Sequence, residues 1–183
     1  MAFFCGFDCR KGLVSFDICL LIEPGFFWDV FMKKIAVIGL GYVGLPLAVE
    51  FGKVRPVVGV DIDEKRIDDL KSFFDVTLEC SPEDIQSASY LSFTYDFNEI
   101  SDANIFIVTV PTPVTESNNP DLSSLIKASE IIARCLKKGD LVIYESTVYP
   151  GATEEVCVPV LEAGSGLLFN KDFFCGYSPE RAN

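Results

Sequence analysis

Short apolar runs alternate with amphipathic stretches along most of this chain. Ile35-Ala36-Val37-Ile38 is unbroken and rich in branched residues, the pattern of a strand buried on both faces. Pro56–Val60, Ala103–Val110 (with IFIVTV at its heart) and Leu141–Glu145 repeat that pattern. Tyr90–Tyr95 alternates instead, and Asp172–Tyr177 completes six predicted strands. Helical spacing falls between them. Val43–Phe51 is the first predicted helix and Glu64–Phe73 the second, with Ile67 and Leu70 on one face. After a loop over 74–81, Pro82–Ser89 forms a short polar helix opened by Ser81, with Glu83 and Asp84 in its first turn. Asp121 is expected to cap a helix running to about Lys137, with Leu125, Ile126, Ser129, Ile132, Ala133 and Leu136 as its buried stripe. Lys137, Lys138 and Gly139 supply its end, and Thr153–Leu161 is the last predicted helix. Strand and helix in alternation predict an α/β fold: a Rossmann-type doubly wound, mostly parallel six-stranded sheet.

The junction of the first strand and helix carries the most chemistry. Ile38 runs directly into Gly39-Leu40-Gly41-Tyr42-Val43-Gly44, and the second strand ends on Asp61. A G-x-G-x-x-G in this strand–turn–helix setting is a dinucleotide-binding fingerprint. Gly39 permits the tight turn, Gly41 lets a pyrophosphate approach the backbone, and Gly44 lets the helix pack against the strand. The helix N-terminus offers N–H groups and the positive end of its dipole to phosphate. Asp61, about 20 residues on, is placed to accept hydrogen bonds from the ribose hydroxyls of NAD, and its charge would repel the 2′-phosphate of NADP. The bland alternative is a glycine-rich turn that binds nothing. Arg66 follows near the adenosine end; its alternative is a solvated helix charge. Pro111-Thr112-Pro113 and Ser146-Thr147 leave two strands at their carboxyl ends, the edge where ligands bind in open α/β sheets.

Composition narrows the reading. At 183 residues the chain suits one domain. A net charge of −12 argues against nucleic acid and anionic membrane surfaces as partners. Histidine is absent from the sequence, which removes Ser-His-Asp and Cys-His catalysis and argues against a metal site. The seven cysteines form no CxxC pair, which suits a reducing, cytoplasmic compartment. Met1–Phe31 stands apart: it holds seven of the sixteen phenylalanines and the single tryptophan, without a clean period. Asp17 interrupts its apolar stretch and no small-residue cleavage site is evident, which disfavours a secretory signal. The expectation is a poorly ordered extension over 1–31, with Met32 an alternative start, and a dinucleotide-binding domain over 32–183.

Four segments, IAVIGLGYVGLPLAVEFG, VTVPTPV, YESTVYPG and YSPER, resemble in order and spacing the N-terminal NAD-binding domain of the UDP-glucose/GDP-mannose dehydrogenase family. The forms VYESTVYPGATEE and GYSPERAN resemble the UDP-N-acetylglucosamine 6-dehydrogenases of capsule, O-antigen and Vi-type polysaccharide synthesis more than the UDP-glucose enzymes. The resemblance covers Lys33–Asn183. Family members oxidise a nucleotide sugar's C6 alcohol to a carboxylate with two NAD molecules in succession, through a cysteine thioester. The resemblance implies that Gly39, Leu40, Gly41, Tyr42, Val43 and Gly44 bind the pyrophosphate through their backbone. It implies that Asp61 takes the adenosine ribose with Arg66 beside it, and that Val110, Pro111 and Thr112 line the adenosine side. Ser146 and Thr147 would lie near the nicotinamide, with the Thr147 hydroxyl holding a catalytic water. Glu180 would act as acid/base in thioester hydrolysis, and Arg181 would approach the UDP-sugar. Read from the residues alone, Thr147 is equally a capping hydroxyl and Glu180 a solvated loop acid.

The family's central helical domain, its C-terminal sugar domain and its cysteine in a glycine-rich segment have no counterpart in this sequence; Cys157 reads as core and Cys175 as part of a buried strand. The expectation is an NAD-binding part that is truncated and inactive alone, with surface that favours self-association. A stand-alone NAD-binding or interaction module, and a non-functional gene remnant, are the alternatives.

Overall fold

The computed structural model describes residues 33–114 and 120–178. Six strands form one sheet: β1 Ile35–Ile38, β2 Val57–Val60, β3 Leu91–Thr94, β4 Ile105–Val108, β5 Leu141–Tyr144 and β6 Phe174–Tyr177. Their order is β3-β2-β1-β4-β5-β6. Every pairing is parallel, so the doubly wound sheet expected from the sequence is wholly rather than mostly parallel.

Parallel strands need crossovers, and right-handed crossovers place helices on both faces. That is why β1, β2 and β4 read as continuous apolar runs. Ile35, Val37 and Val57 face one side with Leu45 of α1 (Gly44–Gly52), Ile67 of α2 (Glu64–Lys71) and Ile85 of α3 (Pro82–Ser87). Ala36, Ile38 and Phe106 face the other with Leu125 and Ile132 of α4 (Ser123–Ala133) and Leu161 of α5 (Val158–Ser165). Each of the buried Val, Leu, Ile and Phe side chains among these contributes about 1.5–3 kcal/mol on burial. Within the second layer Ser129 donates to the Leu125 carbonyl at 2.8 Å, which leaves its oxygen to accept the Tyr144 hydroxyl at 2.7 Å.

The strand ends set the site. Ile38 is level with Val60 and Val108, Val60 with Thr94, Val108 with Tyr144, and Tyr144 with Tyr177. The segments leaving β1, β2, β4, β5 and β6 therefore emerge along one carboxyl edge. The order of strands reverses between β1 and β4, so a crevice opens there.

Several expectations need correction. The helix expected from an Asp121 cap to Lys137 spans Ser123–Ala133, with Leu122 at the cap position. Asp121 still serves it from one residue outside, accepting the Ser123 N–H at 2.9 Å. Ile126 is only half-buried on α4, and Ala128 faces the core. The segment expected to be helical from Thr153 opens as a π-turn over Thr153–Cys157 before α5 begins. Pro159 explains this: it has no N–H to donate and its ring crowds the carbonyl one turn earlier, so the ladder widens locally. The β6 strand lies at the sheet's edge, and Cys175 within it is half-buried rather than core, whereas Cys157 is buried as expected. A 3₁₀ turn over Phe97–Ile100, opened by Asp96 accepting the Asn98 N–H at 2.9 Å, has no counterpart in the sequence reading. The Met1–Phe31 extension lies outside the described residues.

Candidate functional site

The crevice at the β1–β4 switch point is built from backbone. Gly39 has φ +94°, where a side chain is strained, and an added Cβ would also lie 3.1 Å from the Thr109 carbonyl oxygen. Gly44 opens α1 pressed against the same turn: a Cβ there would lie 1.8 Å from the Gly39 oxygen and 2.4 Å from Thr109 Oγ1. Thr109, the first residue past β4, clasps the turn by donating to the Gly39 carbonyl at 2.6 Å, with the Ile38 carbonyl at 3.1 Å. Gly41 differs in kind. A Cβ built on it meets nothing within 4 Å, so the loop's surface there is open to an incoming group. No side chain caps α1, and its first turn carries no acid. Its N–H groups and dipole are thus available to an anion. A dinucleotide pyrophosphate fits this cradle. Tyr42 stands exposed beside it, and Val43 holds the position just before the helix.

Asp61 sits one residue past β2 and is tied to the glycine turn. Its Oδ2 accepts the Leu40 N–H at 2.8 Å and its Oδ1 accepts the Asp63 N–H at 3.0 Å. A carboxylate has about four acceptor positions, so capacity remains for two ribose hydroxyls. Arg66, expected at the adenosine end, is buried beneath the turn with 7% of its surface exposed. Its Nε and Nη2 donate to the Leu40 carbonyl at 3.0 and 2.8 Å. Its Nη1 lies 2.7 Å from Asp75 Oδ1, an ion pair without the alignment of a hydrogen bond. The guanidinium thus faces the loop from below rather than a solvent-facing ribose, and it is no solvated helix charge.

The loops after β4 and β5 are stitched together. Ser146 Oγ donates to the Val110 carbonyl at 2.6 Å, and Thr112 Oγ1 to the Thr147 carbonyl at 2.7 Å. The structure therefore brings Val110, Thr112, Ser146 and Thr147 into one wall, with Pro111 exposed between the first two. Tyr177 braces the wall by donating to the Val148 carbonyl at 3.1 Å. Thr147 is exposed, and its own hydroxyl does not serve as the cap of α5, which begins later in the chain. Ser178 reaches the same edge, donating its N–H to the Tyr144 carbonyl at 3.0 Å. Glu180 and Arg181 lie outside the described residues.

These segments also carry the likeness to known proteins. Residues 33–183 match the family described as UDP-glucose/GDP-mannose dehydrogenase family, NAD binding domain. The chain belongs to the UDP-glucose/GDP-mannose dehydrogenase family. The matched region is that family's NAD-binding domain, and NAD is its cofactor. Among members of this dehydrogenase family, the chain is 64% identical over 150 residues to a UDP-N-acetyl-D-glucosamine 6-dehydrogenase of Pseudomonas aeruginosa, covering 82% of this chain and 36% of that protein. It is 59% identical to the Salmonella typhi protein of the same name, covering 82% and 35%. In structure it resembles a GDP-mannose dehydrogenase ternary complex from Pseudomonas aeruginosa, with TM-score 0.74 and 27% identity over 81% of this chain and 36% of the other. The chain thus spans about a third of the length of the relatives it matches.

Two residues that shape the site escaped the sequence reading. Thr109 is the hydroxyl inside IFIVTV, a place where a strand pattern asks only for a branched residue. Asp75 sits in Phe74-Asp75-Val76-Thr77, where an acid two residues before a threonine signals a local turn but not a partner across the fold.

Proposed function

We propose that this chain binds NAD across the Gly39–Gly44 cradle and serves as the NAD-binding part of a nucleotide-sugar 6-dehydrogenase. The observation that carries the reading is the open face at Gly41, beside an uncapped helix terminus and within one hydrogen-bond link of Asp61. The backbone of Gly39, Leu40, Gly41, Tyr42, Val43 and Gly44 takes the pyrophosphate. Asp61 accepts from the adenosine ribose, and Arg66 supports it from beneath the loop. Val110, Pro111, Thr112, Ser146 and Thr147 line the wall along which the rest of the dinucleotide lies. When bound, NAD supplies a hydride acceptor. Thr147, exposed on that wall, holds a water by its hydroxyl, and Glu180 is the acid/base that moves its proton. Arg181 approaches the UDP-sugar. These last roles rest on the YSPER and YESTVYPG resemblance.

The relatives' names specify UDP-N-acetyl-D-glucosamine, and a UDP-sugar of that kind is the substrate proposed for the complete enzyme. The sequence supplies no cysteine in a glycine-rich segment, so the chain alone binds cofactor without turning over the sugar. Its thiols suit a reducing cytoplasm. Burial pushes Cys175 up to about 12; burial, with Asp75 and other acids around it, does the same for Cys80. Neither therefore offers a reactive thiolate at neutral pH. Among the described residues no helix is long and apolar enough to cross a membrane.

Calorimetric titration of the chain with NAD and then NADP tests the reading. Saturable NAD binding with NADP at least tenfold weaker is expected, and Asp61→Asn, which keeps an acceptor but loses the charge, narrows that gap. The same samples with UDP-N-acetyl-D-glucosamine release no NADH, and a chain starting at Met32 binds NAD equally. A folded chain that takes up no NAD overturns the proposal.

A further inference from the structure

The Leu40–Gly41 peptide is gripped at its carbonyl. Two Arg66 N–H groups converge on that oxygen, at 3.0 and 2.8 Å, from a buried side chain. No peptide bond in the described residues is cis. In a planar trans peptide the carbonyl and the following N–H point in opposite directions. Holding the Leu40 oxygen toward Arg66 therefore turns the Gly41 N–H away from Arg66, out of the protein side of the loop. If this peptide flipped, a carbonyl oxygen would face the pyrophosphate where a donor now does, and two negative groups would repel.

Arg66 is itself placed by Asp75, whose side chain is 1% exposed. Four donors fix Asp75: the Thr77 N–H at 2.9 Å and hydroxyl at 2.7 Å on Oδ1, and the Glu79 and Cys80 N–H groups at 2.9 and 3.0 Å on Oδ2. The loop carrying it leaves α2 through Phe73 at φ 60° and includes Leu78 at φ 60°, a shape held by these bonds. Without the carboxylate, Arg66 would be a buried cation facing only a carbonyl, which is strongly unfavourable. It would swing toward solvent and release Leu40.

We propose that Asp75 is a positioning residue of the dinucleotide cradle: acting through Arg66, it sets the direction of the Leu40–Gly41 peptide so that the Gly41 N–H faces the pyrophosphate. This deepens the NAD reading and rests on it for the identity of the ligand. Asp75 touches no ligand; the chain of contacts runs from Asp75 to Arg66 to Leu40 to the open face at Gly41.

The test uses the full chain, isotope-labelled, as wild type and Asp75→Asn. The Leu40 carbonyl and Gly41 amide resonances are recorded without ligand, with the Gly176 amide on β6 as a distant reference, and each protein is then titrated with NAD. Displaced Leu40 and Gly41 resonances, an unmoved Gly176 and about tenfold weaker NAD binding are expected, with Asp75→Glu recovering part of both. Unchanged Leu40 and Gly41 resonances in folded Asp75→Asn overturn the proposal, as does unchanged NAD affinity. If wild type itself takes up no NAD, the functional reading fails, while the ligand-free resonances still decide whether Asp75 orients the peptide. Should Asp75→Asn not fold, Thr77→Val removes the hydroxyl on Asp75 Oδ1 and replaces it in the comparison. A smaller displacement of the same two resonances is then expected, and none overturns the proposal.

Discussion

Gly41 and Gly44 stand three residues apart and would respond to alanine in opposite ways. At Gly44 a methyl would sit 1.8 Å from the Gly39 oxygen, a backbone atom with no room to yield. Gly44→Ala is expected to destabilise the chain by at least about 3 kcal/mol, read by chemical denaturation, and to remove NAD binding with the turn. At Gly41 a methyl meets no protein atom within 4 Å. Gly41→Ala is expected to leave stability within about 0.5 kcal/mol of wild type while weakening NAD severely, because the methyl enters the pyrophosphate's approach. Equal effects of the two on stability would contradict this division of roles. The tight turn at Gly39, the close packing at Gly44 and the places of Asp61, Thr112 and Thr147 beyond strand ends were legible in the sequence because they depend on local spacing. The true surroundings of Arg66 were not. Five residues past an acid is consistent with a ribose partner, and only the fold shows that the guanidinium turns inward to Leu40 and Asp75.

Whole elements were legible where one period dominated. The four-residue runs of β1, β2 and β4 and the face of α2 follow from pattern alone. The departures are local in the backbone: Pro159 widens the turn ahead of α5, and after Ala133 the end of α4 tightens, with the Arg134 and Cys135 N–H groups donating to the Ile131 and Ile132 carbonyls at 3.3 and 3.0 Å. Leu136 is still buried there, donating its N–H to the Ile132 carbonyl at 2.9 Å. The Ser81 cap was foreseen, and the structure adds its reciprocal half. Asp84 N–H donates to Ser81 Oγ at 3.1 Å while the Ser81 N–H donates to Asp84 Oδ2 at 3.1 Å. At six residues α3 is too short to hold itself, and it buries Ile85 against α1 and α2. Ser81→Ala is expected to cost about 1 kcal/mol in chemical denaturation without altering NAD affinity. A cost near zero would mean that Ile85 packing alone fixes this helix.

Acid should unfold the molecule partly through Asp75. Burial opposes its ionisation, but hydrogen bonds from Thr77 and Cys80 and the ion pair with Arg66 outweigh that, lowering the carboxyl from 3.8 to about 2. A folded value below the unfolded one gives stability that is present above about pH 4 and lost as the pH falls toward 2. The expected contribution is about 2 kcal/mol. Asp75→Asn should therefore lose stability at neutral pH and show a flatter decline between pH 4 and 2; parallel pH profiles would contradict the assignment. The carboxyl edge has a second global consequence. Tyr42, Ile62, Val114 and Tyr149 are exposed on the loops leaving β1, β2, β4 and β5, so apolar surface gathers on the rim of the site. We expect concentration-dependent association in sedimentation velocity despite the net charge of −12, and a single monomeric species at high concentration would refute it.

Asp61 holds the Leu40 N–H with the same carboxylate that we propose reads the ribose. On that proposal, coenzyme preference and loop geometry are one heritable trait. A replacement that drops the carboxylate to admit a phosphorylated ribose also strips an acceptor from the turn beneath the pyrophosphate. A lineage changing coenzyme must first pass through a side chain that keeps the acceptor, and only then add a cation. That ordering narrows the substitutions by which this domain could be re-specialised.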